Sequence, residues 1–371
     1  MKTNIALSVS NQTLLGEYGI TYDGKRYPAD VLVPVLPSVH GVFKIGGIAA
    51  FAAITVPSGG GSLVYEDGLP YLIPLVTYVD NPDGPTPKDG QFAGSSVTYG
   101  VTVGAAYSVL NMVSLSLGGR INYSDKRYQG HATYGTTKAE LDTQKTALGF
   151  TPIVGLAFAP GFGFSFAARY EARTSMEFEA ETITKNLKGE DAFKGTALES
   201  FVDGAKEKRD MPAVLGLGAA WTGFGLTVST SVHLYFTEDA DETTDYAGIA
   251  GTGGLGAFTK GWDDDYEDGW DAAVSAEYQV TEDLLISGGY IKAKLGGSKN
   301  TLNDFEQALD SDSVCFGARY AVIDSVLLTF GVSRTFYQEG SNEALVPIVY
   351  PKPETFDKRI LDVALGAQFR F

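Results

Sequence analysis

A single cysteine, Cys315, stands in the 371-residue chain, so no internal disulfide and no cysteine-based zinc site can form. Histidine occurs only three times, at His40, His131 and His233, without a spacing that would gather the rings on one metal. Basic side chains are scarce too. The 28 Lys and Arg against 45 Asp and Glu leave a net charge of −17, which repels phosphate backbones and excludes nucleic acid as a partner. The longest apolar run covers residues 48–54, far short of the ~20 residues that a membrane helix needs. The opening residues lack the basic start, apolar stretch and small-residue cleavage site of a signal peptide. What the chain has in abundance is glycine (45), phenylalanine (21) and tyrosine (20), with 44% apolar residues, enough to fold.

The apolar residues recur in steps of two. Val97, Tyr99, Val101, Val103, Ala105, Tyr107 and Val109 alternate with Thr98, Gly100, Thr102, Gly104, Ala106 and Ser108. The same split returns at Val113, Leu115, Leu117, Ile121 and Tyr123, at Phe162, Phe164, Phe166, Ala168 and Tyr170, and at Leu361, Val363, Leu365, Ala367, Phe369 and Phe371. Strands of soluble proteins average about 5 to 6 residues, whereas these alternations run for about 10 to 13, the length that crosses a bilayer at a tilt. The pattern predicts fourteen strands, near 2–10, 38–46, 47–57, 96–109, 112–123, 148–159, 162–173, 212–221, 224–236, 269–280, 283–294, 313–322, 325–337 and 359–371. Tight turns are expected at 45–48, 110–111, 160–161, 222–223, 281–282 and 323–324, and long loops at 11–37, 58–95, 124–147, 174–211, 237–268, 295–312 and 338–358. Short turns on one rim and long loops on the other describe an all-β, 14-stranded antiparallel transmembrane β-barrel spanning 1–371 as one domain. The competing soluble β-sandwich buries its apolar face and rarely needs such strands. Pro152 interrupts one alternation and is expected to mark a bulge or kink.

Few constellations suggest chemistry. Gly251, Gly253 and Gly256 match a dinucleotide spacing but lack the flanking strand and helix, and Gly59, Gly60 and Gly61 lack the lysine of a phosphate loop. The run Asp263, Asp264, Asp265, Glu267, Asp268 could attract calcium but has no EF-hand spacing and reads as a solvated acidic loop. His40 and His233 are expected to line a polar lumen. Ser231 and His233 share a strand face with Asp271 on the next strand, yet serine is common on every polar face, so the expectation is that the protein is not an enzyme and carries no metal or other cofactor. Residues 187–208 carry a near-helical apolar stripe, including Phe193, Leu198, Phe201 and Val202, broken by glycines, which suggests one or two short amphipathic helices.

The run from Ile54 through Pro57, Gly59, Gly60, Gly61, Tyr65 and Gly68 to Pro70, the strand count and the terminal Phe369-Arg370-Phe371 resemble the FadL/TodX family of outer-membrane transporters for long-chain fatty acids and other hydrophobic compounds. The resemblance implies an outer-membrane location with the long loops extracellular, contact with outer-membrane lipid, insertion by the barrel assembly machinery, and passive uptake. It implies a ligand groove in the third and fourth long loops, where Leu141, Phe193, Leu198, Phe201 and Val202 are the candidates. It also implies lateral exit beside the third strand, where Ala49, Ala50, Ala52 and Ala53 offer little bulk. Inward-facing Arg120, Arg169 and Arg319 are candidates to hold a ligand carboxylate; the alternative is that they pair with lumen acids such as Glu171, Asp271 and Glu277. The family's N-terminal plug has no counterpart before Thr3. A general diffusion porin or a surface adhesin with exposed loops is the competing function, separated from a hydrophobic channel by whether the upper lumen is apolar.

Overall fold

The computed structural model describes residues 5–70, 89–110, 112–134, 136–185, 201–240, 266–299, 301–304, 307–342 and 352–371. Its strands are, in chain order, β1 (Ile5–Tyr22), β2 (Lys25–Ile45), β3 (Ile48–Tyr65), β4 (Asp89–Leu110), β5 (Val113–Tyr134), β6 (Thr137–Gly161), β7 (Phe164–Glu171), β8 (Glu177–Lys185), β9 (Lys206–Lys208), β10 (Ala213–Gly223), β11 (Leu226–Phe236), β12 (Gly269–Gln279), β13 (Leu284–Lys294), β14 (Ser311–Ile323), β15 (Val326–Tyr337), β16 (Gly340–Ser341) and β17 (Glu354–Arg370). They belong to one 17-stranded sheet. Three of them, β8, β9 and β16, are short additions, and the other fourteen form a closed antiparallel wall in which β1 pairs with both β17 and β2. Closure gives every wall strand a neighbour on both sides, the condition for a sheet to cross hydrocarbon.

Alternation decides which face meets lipid. Tyr99, Val101, Val103, Leu115, Leu117, Ile121 and Phe150 are all exposed on the outside, while their neighbours Thr98 and Asn122 are buried. Such an exposed apolar belt is stable only against acyl chains. Near the short-turn rim Phe158, Phe164 and Phe166 stack with ring centroids 6.2 to 6.4 Å apart, an aromatic girdle at the membrane boundary.

The strand ends differ from the alternation in the sequence. Segment 11–37, expected as a loop, is a hairpin in which β1 and β2 continue to a turn at Asp23 and Gly24, and much of 124–147 is likewise the paired ends of β5 and β6. Above the membrane the outward residues are polar, so the apolar rhythm vanishes while the ladder continues. In β6 the rhythm even inverts: Ala139, Thr143, Lys145 and Ala147 are buried, and charged or polar residues alternate with them.

Two tight turns lie two residues later than expected. Phe162-Gly163 and Phe224-Gly225 both adopt positive φ, with φ of 55° and 82° in the first pair and 54° and 75° in the second. This is the hairpin geometry that suits strand twist, and the two phenylalanines at its tips are 94% and 97% exposed. Pro152 makes no bulge, because the β5–β6 register runs through Gly119↔Pro152 without a shift. Its carbonyl accepts from Ala172 N at 2.9 Å on the side where β7 ends and β6 turns to β8, so its missing N–H faces a place with no strand to receive it.

No α-helix occurs among the described residues. The expected helix over 187–208 is replaced at its described end by a turn at 201–204 and by β9, with Gly204 at φ 73°; its earlier part, including Phe193 and Leu198, lies outside the described residues.

Candidate functional site

Inside the barrel is a cavity of about 1290 Å³ lined by β2 to β7, β10, β11 and the segment around Met176 and Asp210. Its wall mixes small and polar residues with apolar ones, among them Phe51, Ile153, Met176, Phe178 and Val214. Phe51 lies over glycines: a Cβ at Gly104 would fall 2.3 Å from its ring, so the ring fits the wall only because glycine is there. His40 and His233 line the cavity as expected. Asp271 Oδ1 lies 2.8 Å from His233 Nδ1, and Asp271 Oδ2 accepts from Tyr235 Oη at 2.6 Å. No hydrogen bond joins Ser231 to His233, so the arrangement orients a ring rather than activating a hydroxyl.

Beside this cavity the wall is incomplete. The β2–β3 ladder pairs Val39 with Ile54 and then jumps to Val31 with Leu63, leaving residues 32–38 and 55–62 unpaired across the seam. Proline contributes to the break on both sides, since Pro37 in β2 and Pro57 in β3 have no N–H to give. On its far edge β2 stays held by β1, where Asn11 Nδ2 and Thr13 Oγ1 both donate to the Pro34 carbonyl, at 3.2 and 2.9 Å. The β3–β4 ladder also shifts between Thr55 and Ser58 and between Gly59 and Gly61. Gly59 has φ 71°, and a Cβ there would lie 2.5 Å from Ser96 O, so glycine is required for this bend. Thr55, Pro57 and Ser58 line both the gap and the cavity. A tilted strand rises roughly 2.5 Å per residue along the barrel axis, which puts Ser38 ~18 Å above the short turn, inside an apolar band ~25 Å tall. The lower end of the gap therefore opens toward hydrocarbon, and unpaired backbone at that depth is tolerated because it borders a cavity.

At the long-connection end a second environment covers the lumen. Ile20, Tyr65, Leu69, Phe92, Leu302, Leu309 and Phe356 form one buried apolar cluster that also contains Phe201 and Val202, and Leu141 packs against it. Tyr128 meets Phe201 edge-on at 5.6 Å. Under them Lys145 is 4% exposed, with Nζ 2.6 Å from Glu207 and 4.9 Å from the centre of the Phe201 ring. Burial pulls the Lys145 ammonium below its usual range, and Glu207 opposes that shift. Lys145 thus ties the apolar cover to β9.

The sequence-predicted residues fall into separate places. Leu141, Phe201 and Val202 meet in the cover, whereas Phe193 and Leu198 lie outside the described residues. Arg120 and Arg169 both pair with Glu171, and Arg120 Nε also donates to Asn122 at 3.0 Å. Arg319 projects inward from β14 and has no ion-pair partner among the described residues. Ala49, Ala50, Ala52 and Ala53 occupy the fully paired lower part of β3, just below the gap. Sequence reasoning missed most of the gap residues of β2 because 32–37 read as loop; the signal was the closely spaced Pro28, Pro34 and Pro37.

No family model and no curated protein matches the chain. Solved structures do. A Pseudomonas aeruginosa FadL homologue superposes with a TM-score of 0.71 at 14% identity, covering 100% of this chain and 91% of that one. The P. putida toluene transporter TodX gives 0.63 at 12% identity over 99% and 90%, and the Ralstonia pickettii toluene transporter TbuX gives 0.63 at 14% identity over 100% and 90%. At such identities the likeness concerns backbone architecture, and on that ground this chain has a FadL-like fold.

Proposed function

We propose that the protein is an outer-membrane channel for passive uptake of hydrophobic molecules, with its long connections extracellular. A ligand meets the apolar cover, enters the cavity and leaves sideways through the gap between β2 and β3 into the outer leaflet. The observation that carries this reading is the gap itself: a break in the wall at membrane depth that opens on the lumen cavity. A water-filled porin needs no such break and no apolar mouth. The solved neighbours named for toluene transport and the FadL homologue support a hydrophobic cargo.

Within that class a long-chain fatty acid is the finer reading. Of the three candidate arginines, Arg120 and Arg169 share the single carboxylate of Glu171, whereas Arg319 pairs with no acid among the described residues and is our candidate cation for a ligand carboxylate. Cells with equal amounts of folded barrel should take up a long-chain fatty acid and a monoaromatic hydrocarbon faster than cells without it, and a sugar-sized hydrophilic solute no faster. Arg319→Met should reduce fatty-acid uptake severalfold and spare the neutral solute. Rapid sugar uptake would establish the porin reading instead, and equal loss of both hydrophobic solutes would remove Arg319 from cargo selection.

A further inference from the structure

On the outer surface of β15 and β17 the alternation puts Arg334 and Arg359 on the same lipid-facing side as the exposed Leu328, Phe330 and Leu365. The register sets Arg334 against Leu361 and Arg359 against Phe336. The two arginines are therefore diagonal neighbours, roughly 7 Å apart at Cβ, and both long side chains can reach one group. At a rise of roughly 2.5 Å per residue they stand ~20 and ~27 Å above the short turns, at the upper boundary of an apolar band ~25 Å tall. Neither pairs with an acid among the described residues; the Arg334 guanidinium lies 5.9 Å from the centre of the Phe336 ring. Elsewhere on the upper outer face cations stand beside acids, Arg127 with Asp142, Lys292 with Asp312 and Lys294 with Glu267. In a chain of net charge −17 this adjacent pair is left without a counter-ion.

Just above them the wall is notched. The β15–β17 ladder ends at Phe336↔Arg359 and pairing resumes only at Gly340↔Phe356 through β16, while Gln338 N turns away to donate to Asp310 O at 2.8 Å. The cavity so formed, about 610 Å³, is lined by both arginines, Arg26, Phe336, Glu339 and Asp357. Asp357 is already engaged, since Arg26 donates to it at 2.7 Å and also pairs with Glu17. Lys358, also at the notch, turns its ammonium to the Gln307 carbonyl. A cation at the edge of hydrocarbon is stabilised by a counter-ion, and the planar guanidinium fork matches the oxygens of a phosphate. A phosphate alone leaves a polar notch of this size unfilled, whereas a phosphorylated sugar fills it.

We propose that Arg334 and Arg359 hold the phosphate of a phosphorylated glycolipid in the outer leaflet, with its sugar in the notch and its acyl chains along Leu328, Phe330 and Leu365. The choice of leaflet rests on the extracellular placement of the long connections proposed above. Glu339 has no cation partner among the described residues, so it repels the phosphate and limits the affinity. Only β1 separates β17 from β2, and the bound lipid pins the leaflet close to the gap between β2 and β3.

The test uses the full chain refolded in detergent, free of bacterial lipid, and titrated with diphosphorylated lipid A while native mass spectrometry counts the lipid retained. Heat-dependent gel migration verifies the folded barrel for each variant. The expected result is one copy held at least tenfold more tightly than either dephosphorylated lipid A or phosphatidylglycerol, and not displaced by millimolar inorganic phosphate. The double change Arg334→Gln with Arg359→Gln should weaken binding at least tenfold, and Glu339→Gln should tighten it. Lys292→Gln, at a paired cation elsewhere on the outer face, should leave it unchanged. Equal retention of dephosphorylated lipid A, parental binding by the double variant, or an equal loss in Lys292→Gln would overturn the proposal. Equal retention of phosphatidylglycerol would remove the sugar from the notch, and displacement by inorganic phosphate would make this a free-anion site; either result contradicts a glycolipid site. Binding is read without transport, so failure of the channel reading in uptake assays and failure of this site are separate results.

Discussion

Lys145 illustrates how single residues hold the cover of this barrel in place. Its ammonium is enclosed between Glu207 and two aromatic rings, with Arg209 3.6 Å from the far oxygen of the same carboxylate. Removing one partner of a buried pair strands the other charge. Lys145→Met should therefore destabilise docking of 201–209 by about 3 to 5 kcal/mol, while the double change Lys145→Met with Glu207→Met should recover most of the loss. Hydrogen exchange of β9 amides reads this directly; equal exchange in parent and single variant would show that the pair contributes nothing. The sequence revealed that Arg120 and Arg169 face the lumen, because period two places them there. It could not reveal that both share Glu171, which depends on how β5, β6 and β7 register across the wall.

At the scale of strands, legibility followed the solvent. Wherever one face met lipid, the alternation marked the strand, and all fourteen wall strands were found that way. Beyond the membrane the same strands continue with polar outer faces, so Thr137 to Ala147 of β6 read as loop. The turns at Phe162 and Phe224 are not legible in the sequence, because an aromatic residue at positive φ is unusual and the alternation places both rings in strands. Two substitutions test this level. A Cβ at Gly163 would meet Thr222 O at 2.1 Å with φ already at 82°, so Gly163→Ala should lower barrel stability by about 1 kcal/mol or more, measured by urea unfolding in lipid vesicles. Leu117, 67% exposed and near mid-bilayer, should cost about 2 to 4 kcal/mol as Leu117→Arg, whereas Ser116→Arg, which points into the cavity, should be tolerated. Similar losses for Leu117→Arg and Ser116→Arg would mean that the inside and outside of β5 are exchanged.

For the whole molecule, function depends on where the wall fails to close. The sequence carried part of the cause of that failure, prolines and a glycine run flanking one seam, but not its consequence, since only the closed ring shows that these residues face each other across β2 and β3. The seam can be pinned. Ser38 and Thr55 follow directly on the last lower pair, Val39↔Ile54, so cysteines at both positions are placed to form a disulfide across the membrane-level end of the gap. In a Cys315→Ser background the Ser38→Cys, Thr55→Cys barrel should take up a hydrophobic solute at the parental rate when reduced and at least tenfold more slowly when oxidised. Either single cysteine should be indifferent to oxidant. Equal uptake by the oxidised and reduced barrels, with the disulfide verified by mass, would contradict lateral release through this gap.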